Sequence, residues 1–222
     1  MRPFSVAFVA KNALVFVDLL WFCINKCMKH QTYGQRLQHA YRQHIEPYGE
    51  HLQLAVTLTL KQRAVIRVKR FTNYGDDYYE FAAYLNEHTL NSTIEYFTAQ
   101  LTHELYGNHA KHNNKQDWAQ PLIIVTVEGR NTLKLIHLHL AIGNIPATHI
   151  DNIEQHIQAA FSRCDFANKQ LCAKRISNAK GWLGYITKQV GYTDNDALDI
   201  VSSTIPAFIQ QSICTESRLL TA

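Results

Sequence analysis

The sequence predicts an α+β domain built on a four- to five-stranded antiparallel sheet with helices packed on it. Its 222 residues are 46% hydrophobic and 18% charged, with 9 Gly and 5 Pro, as in a globular chain that buries a sizeable core. Segments with strand-like alternation of apolar residues are interspersed with segments of helical spacing. Such a mixture is typical of helices packed on a sheet.

The first half of the chain predicts a helix, a strand and a long helical region. Residues 34–46 form a short basic helix that ends near Pro47. Residues 52–60 alternate in hydrophobicity and are rich in Val and Thr, as in a strand. Between residues 76 and 106, apolar residues recur at helical spacing, which predicts one long helix or two.

The second half predicts a hairpin, a helix, a short strand and a last helix. In chain order these elements are residues 121–128 and 132–142 around a turn at Gly129, residues 146–161, residues 170–176, and residues 177–190 capped by Gly191. The resulting βαββαβ order, with helices on one face of the sheet, is that of an RRM-like or ferredoxin-like palm.

The amino terminus is the most apolar part of the chain. Lys11 and Asp18 interrupt residues 1–27, which makes them a poor membrane-spanning helix, and they lack the pattern of a signal peptide. Met28 opens an ordinary polar start, so we expect translation to begin there, with an apolar docking helix as the alternative. Three parts follow: an N-terminal segment with a helical arm (1–49), a domain that carries the motifs below (50–192) and a C-terminal tail (193–222).

Charge is concentrated in one part of the chain. The formal net charge is only +4, but residues 129–192 hold eight basic and three acidic residues. A basic surface there is compatible with phosphate binding, and a solvated face without a partner is the alternative. The five cysteines form no CxxC pair, which predicts a reducing compartment and no zinc ribbon. Without a GxxxxGK[ST] loop, we expect no ATP binding.

His137 and His139 flank Leu138 in the second strand of the hairpin. Alternate side chains of a strand share a face, so both imidazoles project together and form a platform for a metal ion. The alternative is that the two histidines lie on the solvent-exposed side of the sheet and bind no metal. Glu128 ends the partner strand, where its carboxylate can reach the same face. Two imidazoles and one carboxylate leave coordination positions open for substrate, as a catalytic metal site requires.

Tyr185 and Lys188 are three residues apart in the last helix. This spacing puts them on one helical face, where a phenol and an ammonium group can meet a single phosphate. Core packing of the tyrosine is the alternative. The candidate DNA-binding residues are the basic side chains that lead into this helix: Lys174, Arg175 and Lys180. A second basic run follows the first strand: Arg63, Arg67, Lys69 and Arg70.

Taken together, these motifs resemble those of the HUH endonuclease superfamily, and more closely the single-tyrosine rolling-circle replication initiators of plasmids and phages. The resemblance covers roughly residues 50–192 and rests on three motifs in order: the apolar strand at 56–60, the His137-Leu138-His139 strand, and Tyr185-Ile186-Thr187-Lys188. It implies Mg²⁺ or Mn²⁺ held by His137, His139 and Glu128. It also implies that Tyr185 attacks DNA, forms a 5′-phosphotyrosyl link and leaves a 3′-hydroxyl that primes synthesis.

The resemblance carries further expectations about partners and nucleophiles. It implies single-stranded or hairpin DNA at an origin as the substrate, a host helicase and polymerase as partners, and the bacterial cytoplasm as the location. Initiators with two tyrosines place the second one turn later, where this chain has Gln189, so we expect one nucleophile. A single-tyrosine HUH transposase is one alternative. The other is a non-catalytic RRM-like module, which is expected to carry aromatic residues at the centre of its strands.

Overall fold

The computed structural model describes residues 31–72, 75–110, 118–130 and 135–219. The segment 1–27 and the start expected at Met28 lie outside these ranges. The elements are α1 (Tyr33–Ile45), a 3₁₀ helix (Glu46–His51), β1 (Leu52–Leu60), β2 (Arg63–Thr72), β3 (Gly75–Tyr84), α2 (Glu87–Tyr106), β4 (Leu122–Glu128), β5 (His137–Gly143), α3 (Ile153–Ser162), β6 (Ala167–Arg175), α4 (Ala179–Ile186), β7 (Leu198–Thr204) and α5 (Ala207–Leu219).

Five strands form one antiparallel sheet in the order β6-β1-β5-β4-β7. The predicted α+β class, with a sheet of four to five antiparallel strands and helices packed on it, is therefore confirmed. The predicted hairpin of β4 and β5 and the predicted strand β1 are present. Since β5 lies in the centre, it pairs with β1 on one side and β4 on the other.

Apolar residues lie on both faces of the sheet, so helices cover both faces rather than the single face expected. On one face, Leu58, Val125 and Leu138 pack against α2 and α3. Phe97 of α2 and Phe161 of α3 meet edge to face, with their ring centroids 6.1 Å apart. The second core joins residues of the other face to the 3₁₀ helix, α4 and α5: Tyr48, Leu122, Ile124, Leu183, Ile186 and Ile209.

The region from residue 76 to residue 106 is a strand followed by a helix, so the prediction of helix throughout is wrong for its first part. Residues 75–84 pair with β2 in a two-stranded sheet of their own. The helix begins only at Glu87, because Asn86 caps it. The Asn86 side chain accepts a hydrogen bond from the Thr89 backbone N–H at 3.0 Å, and Thr89 Oγ1 accepts one from the Asn86 N–H at 2.8 Å.

Residues beyond 192, assigned to a tail by the sequence analysis, add a strand and a helix to the fold. The strand β7 pairs with β4 at the sheet edge, and Val127 N–H donates to the carbonyl of Ala197 at 2.7 Å. Leu198 and Ile209 are both buried in the second core. In the described ranges, none of the helices has the length and apolar character needed to cross a membrane.

Candidate functional site

The central strands place a row of polar side chains on one face of the sheet. Thr57 of β1 and Thr126 of β4 lie opposite His139 on either side, and Glu128 lies opposite His137. Residues that face each other across an antiparallel pair share a face of the sheet. The alternation in β5 sends Leu138 into the core on the other face, where it is fully buried.

Gly129 ends β4 directly after Glu128. Its φ of +103° lies in the left-handed region, and a Cβ there would stand 2.8 Å from the Leu135 carbonyl oxygen. Only glycine fits this turn without strain. The turn therefore fixes where β4 stops and brings the Glu128 carboxylate to the end of the sheet beside the histidines.

His139 is held at both ring nitrogens. Its Nδ1 lies 3.0 Å from Thr57 Oγ1, and its Nε2 lies 2.9 Å from Glu128 Oε2. The ring is 7% exposed. A threonine hydroxyl can either donate or accept, so Thr57 can hold the imidazole whether Nε2 carries a proton for Glu128 or offers a lone pair to a cation.

Lys188 connects Glu128 with the predicted nucleophile. Its Nζ lies 3.2 Å from Glu128 Oε2 and 3.9 Å from the centroid of the Tyr185 ring. Tyr185 also meets His139 edge to face at 5.4 Å and stacks on Trp182 at 5.1 Å. Tyr185 remains 41% exposed. Four of the predicted side chains thus meet at one place. The helix predicted over 177–190 ends at Ile186, so Tyr185 belongs to α4 but Lys188 lies in the turn after it rather than on the same helical face.

The turn after α4 that carries Lys188 is anchored by α1. Thr187 is fully buried. Its carbonyl accepts from Gln38 Nε2 at 2.8 Å, and its Oγ1 accepts from Arg42 Nε at 3.0 Å. Near the start of α1, the backbone of Gly34 contacts the backbone of Gly191, since a Cβ on Gly34 would lie 1.8 Å from the Gly191 carbonyl oxygen.

The three ionisable groups shift one another's proton affinity. Burial alone would raise the pKa of Glu128, but hydrogen bonds from His139 and Lys188 outweigh it and lower that pKa. Burial lowers the pKa of His139 despite the opposing effect of Glu128. Burial would lower the pKa of Lys188, but its interactions with Tyr185 and Glu128 raise it. At neutral pH the site therefore holds a carboxylate, a neutral imidazole and an ammonium ion.

The donors at this site fit a hard divalent cation in part. Cis ligands at bond lengths of about 2.1 Å stand roughly 3.0 Å apart, close to the observed 2.9 Å between His139 Nε2 and Glu128 Oε2. Thr126 Oγ1, buried on the same face, has no hydrogen-bond partner in the described part of the chain. However, no three His, Cys, Asp or Glu side chains among the described residues converge as a metal site. His137, on the same face, stays a predicted ligand.

The predicted DNA-binding residues divide between the two faces of the sheet. Lys174 lies opposite Ala55 and shares the face of Thr57, whereas Arg175 lies opposite Leu54 and shares the core face of β1. Arg175 pairs there with Asp151 at 2.9 Å. Lys180 is exposed in the first turn of α4. The structure therefore brings Lys174, but not Arg175, to the side of the sheet that carries the motifs.

The motif residues line neither of two cavities in the described part of the chain, and Tyr185 and Lys188 are exposed at the surface. A groove of about 680 Å³ runs between α2 and β7, lined in part by Glu95, His103 and Ser203, and it shares no residue with the motifs. A smaller cleft of about 270 Å³, lined by Arg42 and Tyr192 among others, lies beside α1. An open face suits a polymeric substrate better than a small molecule.

Three contributors were not assigned roles from the sequence. Thr57 was recognised only as part of the apolar strand, although its alternation with Val56 and Leu58 places it on the opposite face from the core. Trp182 is partly buried against the second core and also stacks on Tyr185. No sequence pattern indicated a role for Arg42, because its contact with Thr187 depends entirely on how α1 packs.

Comparison with known proteins adds no relative. No protein-family model matches this sequence, and searches of curated proteins and of solved structures found no match.

Proposed function

We propose that this protein is a metal-dependent DNA nicking and joining endonuclease that initiates rolling-circle replication through a 5′-phosphotyrosine intermediate. The observation that supports it best is the meeting of Tyr185 and Lys188 with Glu128 and His139 on one face of the central strands, near the end of β4. These residues come from three elements, so their convergence is a property of the fold and not of local sequence.

In the proposed reaction, Tyr185 Oη attacks a DNA phosphorus in line with the 3′ oxygen. A bond forms between Oη and phosphorus, the bond from phosphorus to the 3′ oxygen breaks, and the phenolic proton ends on the new 3′-hydroxyl. The number of phosphoester bonds is unchanged, so rejoining needs no ATP. Lys188, 3.9 Å from the ring, stabilises the developing phenolate and the charge on the phosphate.

His139 and Glu128, with His137 as the third predicted ligand, would hold Mg²⁺ or Mn²⁺. Such an ion supplies positive charge to the non-bridging oxygens of the phosphate. Thr57 keeps the His139 ring oriented. Gln38 and Arg42 hold Thr187, and hence the turn that carries Lys188, in position. Lys174 and Lys180, both exposed, would contact the phosphate backbone.

The proposal is tested by covalent capture from a pool of single-stranded oligonucleotides of random sequence, incubated with the full chain and Mn²⁺. A denaturant-resistant adduct is expected, with the nucleotide mapped to Tyr185 by mass spectrometry. Tyr185→Phe keeps the ring and its stacking on Trp182, so it should bind DNA and form no adduct. The matched control is Tyr192→Phe, which alters another exposed tyrosine and should react normally.

A second arm tests the metal ligands. His139→Ala should reduce adduct formation by at least about a hundredfold, the loss expected when electrostatic stabilisation of the transition state is removed. Full adduct formation in Tyr185→Phe, or in His139→Ala with chelator present, would overturn the proposal. Joining the captured strand to a second DNA, rather than recircularising it, would favour the transposase alternative.

A further inference from the structure

The β2–β3 hairpin carries cationic and aromatic side chains that neither the core nor the proposed site uses. In the described part of the chain, its strands pair with each other and join no strand of the main sheet. Each strand has 10 residues, which makes the hairpin about 30 Å long. An element of this length that adds little to the core needs another explanation.

The cross-strand register defines one face of the hairpin, here called the cationic face. Arg63 lies opposite Tyr84, and Lys69 lies opposite Tyr78. Because directly opposed residues share a face, and so do alternate residues of one strand, the stretch of this face from the Arg63–Tyr84 pair to the Lys69–Tyr78 pair holds eight residues: Arg63, Val65, Arg67, Lys69, Tyr78, Glu80, Ala82 and Tyr84. The Phe71–Asp76 pair continues the same register beyond this stretch.

All eight of these residues are exposed, including the large side chains. Tyr84 is 65% exposed, Val65 64% and Tyr78 47%. Three of the eight residues are cations and one, Glu80, is an anion. Tyrosines usually bury most of their ring, so two exposed rings among three cations suggest a partner surface.

The cations and rings of this face already interact with each other. The Arg67 guanidinium lies 4.4 Å from the centroid of the Tyr78 ring, and that of Arg63 lies 5.8 Å from the centroid of Tyr84. Cations and rings therefore alternate along the hairpin, with a guanidinium group beside each of the two tyrosine rings. A ligand that matches this pattern has negative charges and flat apolar groups in regular alternation.

We propose that the cationic face binds single-stranded nucleic acid, with bases stacked on Tyr78 and Tyr84 and phosphates on Arg63 and Arg67. Phosphates and bases alternate along such a strand, and unpaired bases expose the faces that aromatic side chains stack on. A duplex hides those faces. This surface shares no residue with the proposed nicking site, and the binding proposed for it needs neither Tyr185 nor a metal ion.

The test measures binding without chemistry, using the full chain with Tyr185→Phe in chelator and a fluorescent poly(dT) oligonucleotide followed by anisotropy. Replacing both tyrosines with valine keeps β-propensity but removes the rings. Tyr78→Val with Tyr84→Val should weaken binding by about tenfold or more, as loss of base stacking does. Tyr78→Phe with Tyr84→Phe should bind within about twofold of the parent, because the stacking rings remain.

A second measurement separates phosphate contacts from general folding effects. Arg63→Gln with Arg67→Gln should reduce the slope of log affinity against log salt by about 1.4, since each phosphate contact on a single strand contributes about 0.7. The matched controls are Arg70→Gln, on the other face of the same hairpin, and Tyr96→Ala, an equally exposed tyrosine on α2. Both controls should bind as the parent does.

Three outcomes would overturn the inference: equal binding by the valine and phenylalanine pairs, an unchanged salt slope in the arginine variant, or equal affinity for duplex DNA or anionic lipid vesicles. If the variants bind as expected but the protein does not nick DNA, only the proposed function is contradicted. If the protein nicks DNA but the variants bind as the parent does, only this inference is contradicted. Circular dichroism of each variant checks that the hairpin remains folded.

Discussion

A single carboxylate oxygen, Oε2 of Glu128, holds both a histidine and a lysine. His139 Nε2 lies 2.9 Å from it and Lys188 Nζ lies 3.2 Å from it. A divalent cation that binds between His139 and Glu128 meets the positive charge of Lys188 at short range. In the proposed mechanism, Lys188 would give up this ion pair when the cation binds, and its ammonium group would then be free for a phosphate.

Replacement of Lys188 by methionine is expected to raise affinity for Mn²⁺ while it lowers nicking. The substitution removes the Lys188 charge that repels the cation and competes with it for Glu128. Metal binding should therefore strengthen by roughly tenfold, which is a modest part of the Coulomb repulsion between like charges at such distances. Isothermal titration calorimetry with Mn²⁺ measures this directly. Lys180→Met is the control, because it removes an exposed charge from the first turn of α4, whereas the ion pair with Glu128 is made by Lys188. Weaker metal binding by Lys188→Met would show that Lys188 supports the ligands instead of competing with them.

Among the elements, α1 has the clearest influence on the proposed site. It lies outside residues 50–192, to which the resemblance was confined, yet Gln38 and Arg42 bond directly to the buried Thr187. The turn that holds Lys188 is thus supported by a helix from the other end of the chain.

Arg42→Met is expected to lower the free energy of unfolding by about 1.5–3 kcal/mol, the range for hydrogen bonds to charged groups. Adduct formation should fall as well, because Thr187 loses a bond next to Lys188. Denaturant titration measures the first effect. Arg175→Met is the control, since its ion pair with Asp151 is exposed and should change stability by less than about 1 kcal/mol. Equal destabilisation by both substitutions would contradict an anchoring role for α1.

The elements that the sequence predicted correctly are those with one dominant periodicity. Residues 52–60 alternate clearly because one face meets the core, and β1 has these bounds. The strand β3 was missed because Phe81, Tyr84 and Leu85 also satisfy helical spacing. Its side chains are largely exposed, so no buried face imposes alternation on the sequence. The strand β7 was missed because it is only partly buried and its pairing with β4 is nonlocal.

For the proposed site, the sequence indicated the strand and helix motifs but not their relation in space. The HxH alternation and the hairpin put His139 and Glu128 on one face, as the structure has them. The approach of α4 to that face depends on packing between Leu183 and the second core, which no local pattern encodes. The stacking of Trp182 on Tyr185 likewise depends on how α4 packs and is not encoded by a local pattern.

At the scale of the whole molecule, residues 193–219 complete the sheet and the second core. Leu198 is 3% exposed and Ile209 is 1% exposed. A chain that ends at residue 192 should lose at least about 3 kcal/mol from these two side chains alone, and β4 would lose its edge partner. We expect it to aggregate or to unfold at a lower temperature, as followed by circular dichroism and size-exclusion chromatography.

The control for this truncation is a chain that ends at residue 219, which keeps α5 and should unfold like the parent. If the chain ending at 192 has the same unfolding temperature as the parent, β7 and α5 are dispensable. In that case the boundary inferred from the motifs is also the boundary of a stable domain.

The position of β1 inside the sheet determines when its edges can be paired during folding. Both neighbours, β5 and β6, lie far downstream in the chain. During synthesis the apolar β1 segment therefore emerges with neither partner present, whereas the hairpin that follows it can close locally within microseconds. Until residue 175 has been made, β1 can pair with strands of other chains. Folding of this protein should therefore be slow and sensitive to concentration, and overexpression should favour aggregates that form through β1.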